Sequence, residues 1–207
     1  MLWITFEGLD GCGKSTQSQL LTNAVRGVLT REPGGTALGA TLRSELLSDR
    51  DEPVSATTEM LLYAADRAHH LQNVVLPALE SGTPVVSDRS VWSSLAYQGF
   101  GRELGPDVVI AANEIALAGR WPDVVIFIDT DGTSRASRMQ RDLDRIERSG
   151  DAFFERTETG FRLLAAQQGW LVVDGDQPVA AVFAQVIEGL SERLGDRFIQ
   201  LLSTNSH

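Results

Sequence analysis

Ten residues near the start of the chain, Glu7-Gly8-Leu9-Asp10-Gly11-Cys12-Gly13-Lys14-Ser15-Thr16, constrain what the rest can fold into. They follow an apolar run, Leu2 to Phe6, that reads as a buried strand, and precede Gln17 to Arg26, where Leu20, Leu21, Ala24 and Val25 make one helical face. The spacing Gly8-x-x-x-x-Gly13-Lys14-Ser15, set between strand and helix, is that of a phosphate-binding loop. Its glycines let successive N–H groups turn inward at a helix N-terminus, where the dipole favours negative charge. Gly8 to Thr16 are therefore expected to cradle the phosphates of ATP, with Lys14 bridging the β- and γ-phosphates and Ser15 beside Mg²⁺.

Lys14 is the chain's single lysine, against 17 arginines. A compact ammonium sits where a planar guanidinium would not fit. With a net charge of −10, the protein repels long polyanions, which disfavours nucleic acid as a partner and leaves a mononucleotide site wherever arginines converge. The lone cysteine, Cys12, excludes an internal disulfide and reads as a small side chain in a tight turn. Neither a leader nor a membrane span is visible, so the expectation is a cytoplasmic protein of one domain over 1–207.

Four further apolar runs, Val28–Thr30, Pro84–Ser87, Val124–Ile128 and Trp170–Val173, alternate with helical patterns. Alternation with long crossovers predicts an α/β fold, a five-stranded parallel sheet with helices on both faces. Asp10, Glu32 and Asp88-Arg89 then emerge at the carboxyl ends of strands, where ligands gather, and Asp88 can hold a magnesium-bound water. Leu38, Leu42, Leu46 and Leu47 are expected to face inward from a helix over 36–47, and Pro77 to kink a long helix over 56–81. A short first helix is expected to end near Gly27. Tyr63 and Arg67, four apart, share a face as a surface pair or as a base-binding pair; His69-His70 reads as solvated. The helix over 105–119 carries more apolar residues than one face needs, as a core helix or a dimer interface. Arg135, Arg138, Arg141, Arg145 and Arg148 mark a charged segment whose part over 138–150 suits a phosphate-handling lid.

Together these pieces resemble the thymidylate kinase family over nearly the whole chain. The resemblance rests on Phe6 to Gly11, Arg31-Glu32-Pro33-Gly34-Gly35-Thr36, Leu42-Arg43, Tyr63-Ala64-Ala65-Asp66-Arg67, Asp88-Arg89 with Ser93 to Gly99, and Asp144-Arg145-Ile146-Glu147, in that order. It implies a P-loop nucleoside monophosphate kinase acting on dTMP with ATP and Mg²⁺, and a homodimer with 107–117 as a candidate interface. It implies Arg43 and Arg89 on the dTMP phosphate, Arg67 on thymine O4, Tyr63 stacked on the ring, Ser94 and Gln98 at the base edge, Tyr97 against the sugar, and Glu32 among the substrate-binding residues. Asp10 would face the 3′-hydroxyl and acceptor phosphate, while Arg141 and Arg145 supply the cation that Gly11 does not. Residues 174–178 are the expected adenine neighbourhood. Ser90, Glu158 and Phe161 depart from the family's usual residues, and the first helix looks about two turns short. The rival expectations are a kinase for another nucleoside monophosphate and a P-loop scaffold without turnover; a guanine-specific switch lacks its Asn-Lys-x-Asp element here.

Overall fold

The computed structural model describes residues 1–49, 51–131 and 144–203. Five strands, β1 (Trp3–Glu7), β2 (Val28–Arg31), β3 (Val85–Asp88), β4 (Val124–Asp129) and β5 (Leu171–Asp174), form one sheet. Every pairing is parallel and the order is β2-β3-β1-β4-β5, so the strand feeding the phosphate loop lies at the centre. Period-two alternation splits the sheet's side chains between two cores. Trp3, Val85, Val125 and Phe127 face one, while Ile4, Phe6, Val86, Ile126 and Ile128 face the other. The expected α/β architecture thus stands, and β1 and β3 to β5 each include the acid that follows their apolar run.

Helices cover both faces. On one lie α1 (Lys14–Val25), α8 (Val179–Leu194) and α9 (Asp196–Ser203), contributing Leu21, Val25, Val182, Val186, Leu190 and Phe198. On the other lie α3 (Ala56–His70), α4 (Leu76–Glu80), α6 (Pro106–Leu117) and α7 (Asp151–Gln168), with α2 (Ala37–Leu47) against α3 and α5 (Val91–Ser94) beneath. A π-helical turn, Leu71–Val75, joins α3 to α4 ahead of Pro77, so the proline is absorbed by a wider turn rather than a break. A second, Leu95–Gly101, continues α5.

Several local expectations need correction. Helix α1 is capped by Arg26 in the left-handed region (φ 49°), not by Gly27; Gly27 is required because a Cβ there would lie 2.5 Å from the Pro84 carbonyl oxygen. Leu38 is half exposed, since α2 packs only along its Gly39–Leu46 side. His70 is wholly buried, not solvated: Nε2 meets Thr30 Oγ1 at 2.6 Å and Nδ1 meets Glu32 Oε1 at 2.9 Å. Helix α6 is two-sided, with Val109 and Leu117 buried but Val108 and Ile115 exposed by 52% and 85%. Phe161 is fully buried between Tyr97 and Phe127, and Glu158 pairs with Arg162 at 2.8 Å, so both departures have ordinary structural roles. Among the described residues, no helix is long and apolar enough to cross a membrane.

Candidate active site

The phosphate loop turns sharply at Gly8, whose φ of 141° and whose closeness to Ile128 O (2.8 Å from a hypothetical Cβ) admit no side chain. Gly13, with φ 100°, then starts α1. Lys14 lies back across the loop: Nζ donates to Leu9 O at 2.8 Å, sits 3.7 Å from Cys12 Sγ and 3.9 Å from Asp10 Oδ1, and is 5% exposed. Ser15 Oγ donates to Asp88 Oδ2 at 2.5 Å, which unites the two residues expected near magnesium.

Beside the loop opens a cleft lined by Asp10, Glu32, Arg43, Tyr63, Arg67, Arg89, Ser94, Tyr97 and Gln98. These are the nine residues expected to bind dTMP, drawn from the loop, the β2 exit, α2, α3, the β3 exit and α5 with its continuation. Arg89 adopts a left-handed backbone (φ 73°), rare for a non-glycine residue, as the chain leaves β3. One of its nitrogens donates to Gly8 O (2.9 Å) and Ser93 Oγ (2.8 Å), the other to Asp10 Oδ1 (2.7 Å) and Tyr97 Oη (3.1 Å). Burial opposes its charge, yet Asp10, Tyr97, Asp88 and Glu7 hold its pKa well above the usual guanidinium value.

Arg67 stands at the inner end, 1% exposed. It donates to Glu32 Oε2 at 2.7 Å, to Asn113 Oδ1, to Ser90 O at 3.2 Å and to Ser94 Oγ at 3.0 Å. Burial alone would raise the Glu32 carboxyl, but Arg67 and His70 outweigh it and hold it below the usual range. Arg67 and Tyr63 therefore serve the cleft, not the surface. Arg43 behaves differently, because its only hydrogen bond among the described residues is to Pro33 O at 3.2 Å, and it forms no ion pair there. Burial, and then Arg31 and Arg89, depress its pKa against the opposing effect of Tyr63 and Asp10.

Beneath the loop, Glu7 is wholly buried, accepting from Ser90 Oγ (2.7 Å) and Ser93 Oγ (2.6 Å). Burial pushes its pKa from 4.5 to about 7, against those hydrogen bonds and the charges of Arg89 and Lys14. Sequence reasoning quoted Glu7 without giving it a role, and it missed Asn113 and Glu59. The signal available was a carboxylate inside an otherwise apolar run, which burial alone does not favour.

The arginine-bearing segment divides. Arg141, with Arg135 and Arg138, lies outside the described residues. Arg145 lies between Asp144 and Ile146, which line the cleft: Nε donates to Leu46 O (2.8 Å) and Nη2 to Glu59 Oε2 (2.8 Å), while Arg148 pairs with Asp49 at 2.6 Å. A second cleft lies on the other side of the loop, between Cys12, Gly13, Thr16 and Gln17 and the stretch Gly175, Gln177, Pro178 and Val179. This is where the adenine neighbourhood was expected.

A phosphate-binding loop with a cleft on either side has the layout needed to bring two nucleotides end to end. The sequence profile described as thymidylate kinase matches residues 6–186. A thymidylate kinase of Synechococcus sp. (strain CC9605) is 43% identical over 204 residues, covering 93% of this chain and 98% of its own. One from Halothermothrix orenii (strain H 168) is 42% identical over 186 residues, covering 85% and 89%. The crystal structure of thymidylate kinase from Ehrlichia chaffeensis superimposes with a TM-score of 0.76 at 29% identity, over 92% of this chain and 98% of that one.

Proposed function

The chain belongs to the thymidylate kinase family, which transfers a phosphoryl group from ATP to dTMP to give dTDP and ADP, and we propose how its residues carry that reaction. The supporting observation is the meeting of Arg43, Arg67 and Arg89 in one cleft beside Asp10 and Lys14. Arg43 and Arg89 hold the dTMP phosphate by charge-assisted hydrogen bonds. Arg67, oriented by Glu32, donates to thymine O4; Tyr63 stacks on the ring; Ser94 and Gln98 meet the base edge. Tyr97 packs against the sugar and leaves no room for a 2′-hydroxyl. Asp10 faces the 3′-hydroxyl and yields Arg89 to the incoming phosphate.

ATP phosphates lie on the N–H groups of Gly8 to Thr16, with the adenine toward Gly175 to Pro178. A dTMP phosphate oxygen attacks the γ-phosphorus in line, and the bond to the β-γ bridging oxygen breaks. That oxygen is already anionic, so no general base is required. Lys14 meets charge on the transferring group. The further cation on the transferring group is assigned to Arg145 and Arg141, of which Arg145 is held by Glu59 at 2.8 Å and would exchange that partner for phosphate much as Arg89 exchanges Asp10. Ser15 and Asp88 are the residues that would hold Mg²⁺, which supplies charge neutralisation at the phosphates. Two hard oxygen donors, with no cluster of three or more metal-ligating side chains among the described residues, suit an ion held mainly through substrate phosphates and water.

We place the enzyme in the cytoplasm, where nucleotides are available, as a homodimer formed through the exposed Val108–Ile115 face of α6. An ADP-release assay across dTMP, dUMP and dCMP tests the acceptor assignment: fastest turnover of dTMP is expected, and negligible dTMP turnover beside fast turnover of another monophosphate would refute it.

A further inference from the structure

Glu59 is absent from the nucleotide-binding residues assigned above, yet it is wholly buried behind them. Its place in the first turn of α3 suits a negative charge. Oε1 accepts from Gln98 Nε2 at 2.9 Å and from Arg102 Nε at 3.2 Å; Oε2 accepts from Arg102 Nη2 at 3.2 Å and Arg145 Nη2 at 2.8 Å. A carboxylate facing two guanidiniums has only acceptors to offer its fourth contact, the Gln98 amide. The amide must therefore turn its NH₂ group to Glu59. Its oxygen is left for the cleft, which Gln98 lines together with Ser94 and Arg67.

This decides what the cleft can read. Arg67 presents donors and Gln98, so turned, presents an acceptor. A pyrimidine with a carbonyl at position 4 and N3–H matches both. One with an amino group at position 4 and a bare N3 sets donor against donor and lone pair against lone pair, leaving buried polar groups unpaired. We infer that Glu59 is a specificity-determining positioning residue, which selects thymine-type bases over cytosine by fixing the orientation of the Gln98 amide. The inference rests on the reading of the cleft as the dTMP site.

The test is kcat/KM for dTMP and dCMP in wild type, Glu59→Gln, Gln98→Met and the double variant. A glutamine at 59 can donate as well as accept, so it no longer dictates how Gln98 turns. Glu59→Gln is expected to lower the dTMP/dCMP ratio about tenfold, the worth of one hydrogen bond of about 1.4 kcal/mol, chiefly through KM. In the Gln98→Met background the same change should leave the ratio within about twofold, because Glu59 acts through the amide. A ratio unmoved by Glu59→Gln, or moved equally in both backgrounds, overturns the inference. Should Glu59→Gln not fold, NMR of the wild-type Gln98 side chain decides. Addition of dTMP should shift the carbonyl ¹³C resonance while the amide protons stay in place; amide protons that move as ligand-bonded donors overturn it. A wild type that phosphorylates dCMP as readily as dTMP overturns the thymidylate reading as well, whereas a discriminating wild type with an insensitive variant overturns only the role of Glu59.

Discussion

Glu7→Gln removes a titratable group from directly beneath the phosphate loop while keeping its shape and an oxygen for Ser90 or Ser93. The carboxyl titrates at 4.5 when unfolded and at about 7 when folded, so the native state binds the proton more tightly. The stability this contributes is complete below about pH 4.5, falls as pH rises through about 7, and is absent above. At about 1.4 kcal/mol per pH unit the whole window is worth about 3 kcal/mol, most of which is lost between pH 5 and pH 8. Urea unfolding of wild type and variant, followed by tryptophan fluorescence at both pH values, measures it. Subtracting the variant cancels the other titrating groups. Wild type should lose about 2–3 kcal/mol relative to Glu7→Gln on going from pH 5 to pH 8. A difference that does not change with pH would show that Glu7 keeps an ordinary carboxylate pKa and would refute the reasoning.

Arg43→Met should raise KM for dTMP about 10- to 100-fold, the loss of charge-assisted hydrogen bonds of about 1.5–3 kcal/mol, with KM for ATP within about twofold, by initial-rate kinetics. Gly8→Ala forces a Cβ against Ile128 O in a left-handed conformation and should destabilise the protein by about 1–3 kcal/mol in denaturant titrations, with ATP binding weakened. Ile115→Glu places a charge on the exposed face of α6 and should halve the mass seen by light scattering while Tm changes little; an unchanged mass removes α6 from the interface.

The strands and the phosphate loop were legible because their signals are local. An apolar run of four to six residues bounded by glycine or acid reads as a buried strand whatever surrounds it. The loop's spacing carries its own backbone geometry. What escaped were side chains whose partners are remote in sequence. His70 reads as solvent-facing beside His69 until Glu32 and Thr30, some 40 residues away, close over it. Arg145 reads as a lid cation, and the sequence gives no sign that Glu59, 86 residues earlier, is its partner. The second π-helical turn was also invisible, since its composition matches an ordinary helix or loop.

By itself the sequence determined a parallel α/β fold, the phosphate-loop turn between strand and helix, and the identities of the nine side chains that meet in the cleft beside it. Only the tertiary structure decided the strand order, which cleft arginines already have a carboxylate partner among the described residues, and which way the Gln98 amide turns. The physical reason is that charge and hydrogen bonding act through space. A guanidinium's role depends on the carboxylate within 3 Å of it, and that neighbour is chosen by the packing of helices and strands, not by the residues beside it in the chain.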